Sequence, residues 1–191
     1  MKLANRREMP SVYQPAEDSH LLAIAAAERI DAAEFVLEVG IGTGYVAEYV
    51  RDRTGANVVG SDVNPEACRI ARTDRHVPTV QGNLVEPFQA DCFDVVLFNP
   101  PYLPTDPEDE WADPLECALS GGPDGRRAIR PFLKTVGRVL VPEGRVYLLL
   151  STLTGIDAVE SLARDASFGV DEVASEPYPF ERLVVLELRL L

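Results

Sequence analysis

Asn99-Pro100-Pro101-Tyr102 is the stretch of this chain best suited to chemistry. An asparagine closing an apolar run is followed by two residues without a backbone N–H and then by an aromatic ring. The Asn99 side-chain oxygen and the Pro100 carbonyl can each accept one N–H of a planar –NH2 group, which aims the nitrogen lone pair. Pro100 and Pro101 fix φ and remove two donors, so the turn presents acceptors only. Tyr102 can stack on the flat group and exclude water. An amide nitrogen is a poor nucleophile because its lone pair is delocalised. Held and aimed in this way, it can attack a methyl sulfonium without a strong base, by orientation and electrostatic stabilisation. The chemistry that fits is methyl transfer to an amide or exocyclic amine nitrogen. Asn99, Pro100 and Tyr102 are the candidate catalytic residues, and Asn99, Pro100, Pro101 and Tyr102 the candidate substrate contacts.

A cofactor site is written upstream. Glu38-Val39-Gly40-Ile41-Gly42-Thr43-Gly44 lies where an apolar run turns into a helical pattern. A dinucleotide fingerprint would place its third glycine at Tyr45. This chain instead has G-x-G-x-G behind an acid, and no phosphate-loop Lys-Ser/Thr pair follows. Asp62, about one βα unit later, can accept both ribose hydroxyls of an adenosine-containing cofactor. Asn83 and Leu84 can bracket an adenine ring. Gly40, Asp62, Asn83 and Asn99 each fall at the C-terminal end of an expected strand, the edge where open α/β sheets bind ligands.

The elements that must position these residues alternate along the chain. Residues 16–30 read as a helix with Leu21, Leu22, Ile24 and Ala25 grouped apolar. Strands are expected at Phe35–Ile41, Asn57–Val63, Thr79–Asn83, Phe93–Asn99 and Arg145–Ser151. Helices are expected at Thr43–Arg53, Pro65–Asp74, Gly125–Val141 and Ile156–Ala166. Asn64-Pro65 is a helix start, with asparagine as cap and proline in the first turn. A long loop, Tyr102–Asp124, carries Pro104, Pro107, Pro114 and Pro123 and an acidic run. Two β-rich runs, Val170–Ser175 and Arg182–Leu190, are joined by the turn Glu176–Glu181 and close the chain as an antiparallel pair. Repeated βα units imply a parallel sheet with helices on both faces.

At 191 residues the chain suits one domain, 1–191, with a full core. No apolar run approaches the roughly 20 residues of a membrane span. The N-terminus lacks the apolar stretch of a signal peptide, so the expected location is cytoplasmic. Cys68, Cys92 and Cys117 form no CxxC, and no metal site is expected; His20 and His76 read as surface or helix residues. The net charge is −13, and Lys2 and Lys134 are the only lysines. Such a surface repels phosphate backbones at ordinary salt, so direct nucleic-acid binding is not expected. Adaptation to a high-salt host would also produce it.

Together these residues resemble the class I S-adenosylmethionine-dependent methyltransferases, and more closely the short HemK-type branch that methylates the glutamine of class 1 release factors. The resemblance runs nearly end to end. It is carried by Val12-Tyr13-Gln14-Pro15-Ala16-Glu17-Asp18-Ser19, Leu37–Gly44, Asp62-Val63-Asn64-Pro65, Leu119-Ser120-Gly121-Gly122-Pro123-Asp124-Gly125-Arg126 and Glu181-Arg182-Leu183. It implies a Rossmann-like, seven-stranded, mostly parallel sheet with a C-terminal antiparallel hairpin, and residues 1–30 as a cofactor-covering segment and helix. It also implies S-adenosyl-L-methionine as cofactor, held by Tyr13, Ser19, Glu38, Gly40, Gly42, Gly44, Asp62, Asn83, Leu84 and Asn99. Two positions depart from the family: Asn83 stands where Asp is usual, which predicts an altered hydrogen-bond polarity, and Ser19 where Thr is usual. Only about thirty residues precede the first strand, so the extra N-terminal domain of the larger bacterial relatives is not expected.

The same resemblance implies a class 1 translation release factor as substrate and a small zinc-binding activator subunit as partner. Thr79-Val80-Gln81-Gly82, at a sheet edge in this fold, would offer unpaired backbone groups to that partner. Methylation of adenine N6 or cytosine N4 uses a similar turn, but the chain has no basic stripe and no room for a target-recognition domain. Lysine methylation requires an ammonium to lose a proton first. A cofactor-bound scaffold would leave Asn99–Tyr102 without purpose. Trp111 reads as a pin for the acidic loop, and Arg126, Arg127 and Arg130 as a solvated face paired with the loop's acids.

Overall fold

The computed structural model describes residues 12–106, 108 and 118–191. Trp111, Cys117, Pro107, Pro114, most of the loop's acidic run and the N-terminal stretch before Val12 lie outside the described residues. The helices are α1 (Glu17–Ala27), α2 (Tyr45–Thr54), α3 (Pro65–Asp74), α4 (Ile129–Val136) and α5 (Ile156–Asp165). The strands are β1 (Phe35–Val39), β2 (Asn57–Asp62), β3 (Thr79–Gln81), β4 (Phe93–Phe98), β5 (Leu140–Ser151), β6 (Phe168–Pro177) and β7 (Arg182–Leu190). They form one sheet in the order β3-β2-β1-β4-β5-β7-β6. Strands β1 to β5 pair in parallel, and β7 is antiparallel to both β5 and β6. The expected seven-stranded sheet and closing hairpin are both present. The hairpin's second strand is the one that joins the sheet, which leaves β6 on one edge and β3 on the other.

Side chains alternate across this sheet with the two-residue period of a strand. Val36, Val95, Leu97, Tyr147 and Leu149 pack with Leu22, Val46, Val50 and Ala71 of α1, α2 and α3. Leu37, Val96, Phe98, Leu148 and Leu150 pack with Phe132, Val136, Val159 and Ala163 of α4 and α5. Both faces are covered, which is why the central strands read as unbroken apolar runs rather than as alternating ones. Asn64 caps α3 as expected: its side-chain oxygen accepts from the Glu66 N–H at 2.9 Å, with Pro65 in the first turn.

Several boundaries differ from expectation, each for a local reason. Helix α1 stops at Ala27, not 30, where the Arg29 guanidinium caps it by donating to the Ala25 carbonyl at 2.8 Å. Ile24, read as part of its apolar face, is 47% exposed. Strand β3 spans three residues: the Gly82 N–H makes the last ladder bond, to the Asp62 carbonyl, and Asn83 then opens a turn closed by the Glu86 N–H. The largest difference is the expected helix Gly125–Val141, which is helical only over Ile129–Val136. Its front is a turn around Asp124, whose carboxylate pairs with Arg126 and Arg130. Its tail is taken by the sheet: the Phe93 and Cys92 N–H groups both donate to the Val139 carbonyl at 2.9 Å, and β5 begins at Leu140. A register shift between Phe93 and Val95 absorbs the residues before Arg145. Strand β6 runs on to Pro177, so the expected six-residue turn shortens to one closed by Tyr178 N–H donating to the Glu181 carbonyl at 2.7 Å.

Candidate active site

A cavity of about 460 Å3 opens over the C-terminal ends of β1, β2 and β4. That size falls within the roughly 300–1,000 Å3 of small-ligand sites. Its wall includes Tyr13 and Ser19 from the N-terminal segment, Glu38, Gly40 and Gly42 from the first turn, and Asp62 from the second. Asn83 and Leu84 line it after β3, and Asn99 and Pro101 after β4. Among the described residues, Gly44, Pro100 and Tyr102 lie outside this lining. The four expected strand ends therefore do converge on one cavity.

The first turn is shaped by Gly40, Gly42 and Gly44, all at positive φ. Glu38 is buried, and its Oε2 accepts from the Ala47 N–H at 2.8 Å. Helix α2 has no side-chain cap of its own, so this carboxyl from β1 satisfies one of its orphan donors. Burial pushes the Glu38 carboxyl well up, against the pull of the Ala47 bond, and the nearby Asp62 charge adds to the rise. Asp62 is gripped from both sides: the Gly42 N–H donates to Oδ2 at 3.0 Å and the Asn64 N–H to Oδ1 at 2.8 Å. Burial raises its pKa, and the bonds from Asn64, Gly42 and Val63 hold part of that rise back. The carboxylate lines the cavity with acceptor capacity to spare, which suits a ribose hydroxyl. Asp62→Ala is expected to weaken binding of an adenosine-containing cofactor about tenfold to a hundredfold by calorimetry. Turnover at saturating cofactor should fall much less.

At the adenine end, Asn83 Nδ2 donates to Glu86 Oε1 at 2.9 Å. The amide keeps a second N–H and its side-chain oxygen for a ligand. Leu84 beside it holds φ 48, a conformation rare outside glycine, and its carbonyl accepts from Ser61 Oγ at 3.0 Å. Strained residues of this kind gather at ligand sites.

The Asn99 side-chain oxygen is buried and, among the described residues, is without a hydrogen-bond partner. An unpaired buried acceptor costs about 1–3 kcal/mol. A group bringing an N–H to this point of the cavity wall removes that cost, and a planar –NH2 does so. Tyr102, half-buried, donates its hydroxyl to Asp18 Oδ2 at 3.3 Å. Burial first, and then the Asp18 charge, push the Tyr102 and Tyr13 phenols far above their ordinary range, so both remain donors.

The Tyr102 end of the turn rests on the Gly-Gly-Pro-Asp-Gly-Arg loop. The Leu103 N–H donates to the Leu119 carbonyl at 3.0 Å, and the Gly121 N–H to the Leu103 carbonyl at 2.8 Å. These bonds stitch the two ends of the long loop together and bring Gly125 against the Tyr102 carbonyl. Arg126 donates to the Thr154 carbonyl and pairs with Asp124, as Arg130 does, so these two arginines serve the loop itself. His20 is exposed on α1, with Nδ1 at 2.6 Å from the Tyr45 hydroxyl, and His76 is exposed after α3. Among the described residues no His, Cys, Asp and Glu group could hold a metal ion.

Asp18, Glu86 and Gly125 carry no individual role in the sequence reading, although Asp18 and Gly125 fall within the family-like segments Val12–Ser19 and Leu119–Arg126.

The methyltransferase domain family matches residues 37–100. A provisionally named protein N5-glutamine methyltransferase of Methanocaldococcus jannaschii is 35% identical over 185 residues, covering 93% of this chain and 91% of that protein. Methyltransferase HEMK2 of Homo sapiens is 36% identical over 157 residues, 75% of this chain and 73% of that one. Among solved structures, the E. cuniculi Mtq2–Trm112 complex, described as responsible for methylation of the eRF1 translation termination factor, matches with a TM-score of 0.78. That match is 26% identical and covers 95% of this chain and 100% of the other.

Proposed function

The chain belongs to the HemK-type family of class I S-adenosylmethionine-dependent N-methyltransferases, and from that premise we propose that it methylates the side-chain amide nitrogen of the glutamine in the Gly-Gly-Gln motif of a class 1 translation release factor. The observation that carries this reading is Asn99 on the cavity wall, whose buried side-chain oxygen is without a hydrogen-bond partner among the described residues. S-Adenosylmethionine, when bound, supplies an electrophilic methyl on a positively charged sulfur. The Asp62 carboxylate would hold its ribose, Asn83 and Leu84 its adenine, and Gly40, Gly42 and Glu38 the bend of the first turn beside it. Tyr13 and Ser19 would cover it from the N-terminal segment. Asn99 Oδ1 and the Pro100 carbonyl would each take one amide N–H of the glutamine, with Pro101 and Tyr102 shaping the slot. The nitrogen lone pair would then point toward the methyl, so that the new nitrogen–carbon bond forms as the sulfur–methyl bond breaks, with the thioether as leaving group and the surplus amide proton lost to solvent.

This reading places the whole chain, 1–191, in one catalytic domain acting in the cytoplasm. It is supported by the single continuous sheet and by the lack, among the described residues, of a helix long and apolar enough to cross a membrane. Incubating the protein with labelled S-adenosylmethionine and a release factor should label the factor, and its Gly-Gly-Gln Gln→Ala variant should remain unlabelled. Label on the variant, or on nucleic acid alone, would overturn the assignment.

The proposed partner is a small zinc-binding activator subunit that adds a strand to the β3 edge. Among the described residues strand β3 pairs only with β2, and Val80 is 44% exposed on it. Bare edges of this kind pair with further strands. Val80→Asp should abolish co-purification with such an activator, while cofactor affinity, read by calorimetry, stays within about twofold because the exposed Val80 is not in the cavity lining. Retention of the partner by this variant would move the interface elsewhere.

A further inference from the structure

We propose that Asp18 is a positioning residue that joins the cofactor-covering segment to the substrate turn, so that Tyr102 is set in place as Tyr13 and Ser19 close over the cofactor. The inference rests on the assignment of Asn99–Tyr102 as the substrate turn. Asp18 is 4% exposed, on the first turn of α1. Its two oxygens both receive the Tyr13 hydroxyl, at 3.1 Å each. Oδ2 also receives the Tyr102 hydroxyl, from 84 residues away, at 3.3 Å. Oδ1 receives the Ser19 N–H at 2.6 Å and the Ser19 hydroxyl at 3.2 Å. Among the described residues no arginine or lysine pairs with it, so hydroxyl and amide donors carry the whole stabilisation of a buried charge.

A buried carboxylate in that position cannot lose a donor cheaply. The two phenols and the Ser19 groups therefore hold their places together. Two of these donors, Tyr13 and Ser19, line the cofactor cavity, whereas Tyr102 does not. The hydroxyl of Tyr102 reaches the cavity wall through the Asp18 carboxylate. A fixed Tyr102 ring keeps the amide slot in shape, and the same carboxylate keeps Tyr13 over the cofactor. The first half of the site thus reports to the second.

The binding cycle needs no release factor, so it stands apart from the methylation assay above. Purified full chain is titrated with S-adenosylhomocysteine in a calorimeter, with melting temperatures recorded for every variant. Tyr102→Phe removes one hydroxyl that does not line the cavity, and it should weaken binding about fivefold to tenfold, the scale of one ordinary hydrogen bond. In an Asp18→Asn background the same substitution should change affinity less than about twofold, because the link is already cut. Asp18→Asn alone should also lower the single-turnover rate at saturating cofactor, where a purely structural role would lower only the folded fraction. If Asp18→Asn does not fold, the cycle of Tyr13→Phe against Tyr102→Phe replaces it, and non-additive losses are expected. Unchanged affinity on Tyr102→Phe, or fully additive losses, would overturn the proposal.

Discussion

Asn99→Ala lowers turnover by about a hundredfold to a thousandfold, the scale of losing one preorganised hydrogen-bonding group at a reacting centre. Cofactor affinity falls by less than about threefold, since Asp62 and the first turn carry most of that binding. The physical ground is the state of Oδ1. It is buried and has no partner among the described residues, so its geometry is held ready for an incoming N–H. Alanine removes the acceptor and leaves space for water, and the amide is then free to rotate away from the methyl. Single-turnover kinetics with a release factor and calorimetry with the cofactor separate the two effects. Asn99→Asp is the instructive partner variant: it keeps an acceptor oxygen but places a charge where the wall is buried. Turnover that survives Asn99→Ala would move the chemistry away from this turn.

Gly125→Ala should also lower turnover by about tenfold to a hundredfold, although Gly125 is not expected to touch substrate or cofactor. A Cβ on Gly125 would sit 2.4 Å from the Tyr102 carbonyl oxygen and 3.0 Å from Thr154 Cγ2, at φ +72. Backbone cannot yield as a flexible side chain does, so the substrate turn must shift, and shifts near 1 Å at a reacting centre are costly. The control is Gly55→Ala at the end of α2, where φ is +79 but the nearest atom, Ala32 Cβ, is an ordinary 3.7 Å away. That substitution pays only the left-handed backbone penalty of about 1–2 kcal/mol. Both variants should melt earlier, and only Gly125→Ala should lose kcat per folded molecule. Equal kinetic losses would mean that general destabilisation, not displacement of Tyr102, is responsible.

The legible parts of this fold share a physical trait: each is dictated within a few residues of chain. Phe93–Phe98 reads as a buried strand because both its faces are covered, and Asn64-Pro65 reads as a helix start because cap and first turn are adjacent. The segment 125–141 misled because its composition suits a helix, whereas strand pairing with Phe93 claims Leu140 and the Asp124 ion pairs claim the front. Tertiary pairing overrides local propensity at such places.

Sequence alone determined the sheet's parallel core, the strand ends that carry Gly40, Asp62, Asn83 and Asn99, and the loss of two backbone donors at Pro100-Pro101. Those follow from period, residue type and spacing, which are properties of the chain in order. Only the tertiary structure decided that β7 lies between β5 and β6, that Gly125 abuts the Tyr102 carbonyl, and that Asp18 ties Tyr13 to Tyr102. Contacts between residues 84 positions apart leave no periodic trace in a sequence, because their partners are chosen by how whole elements pack.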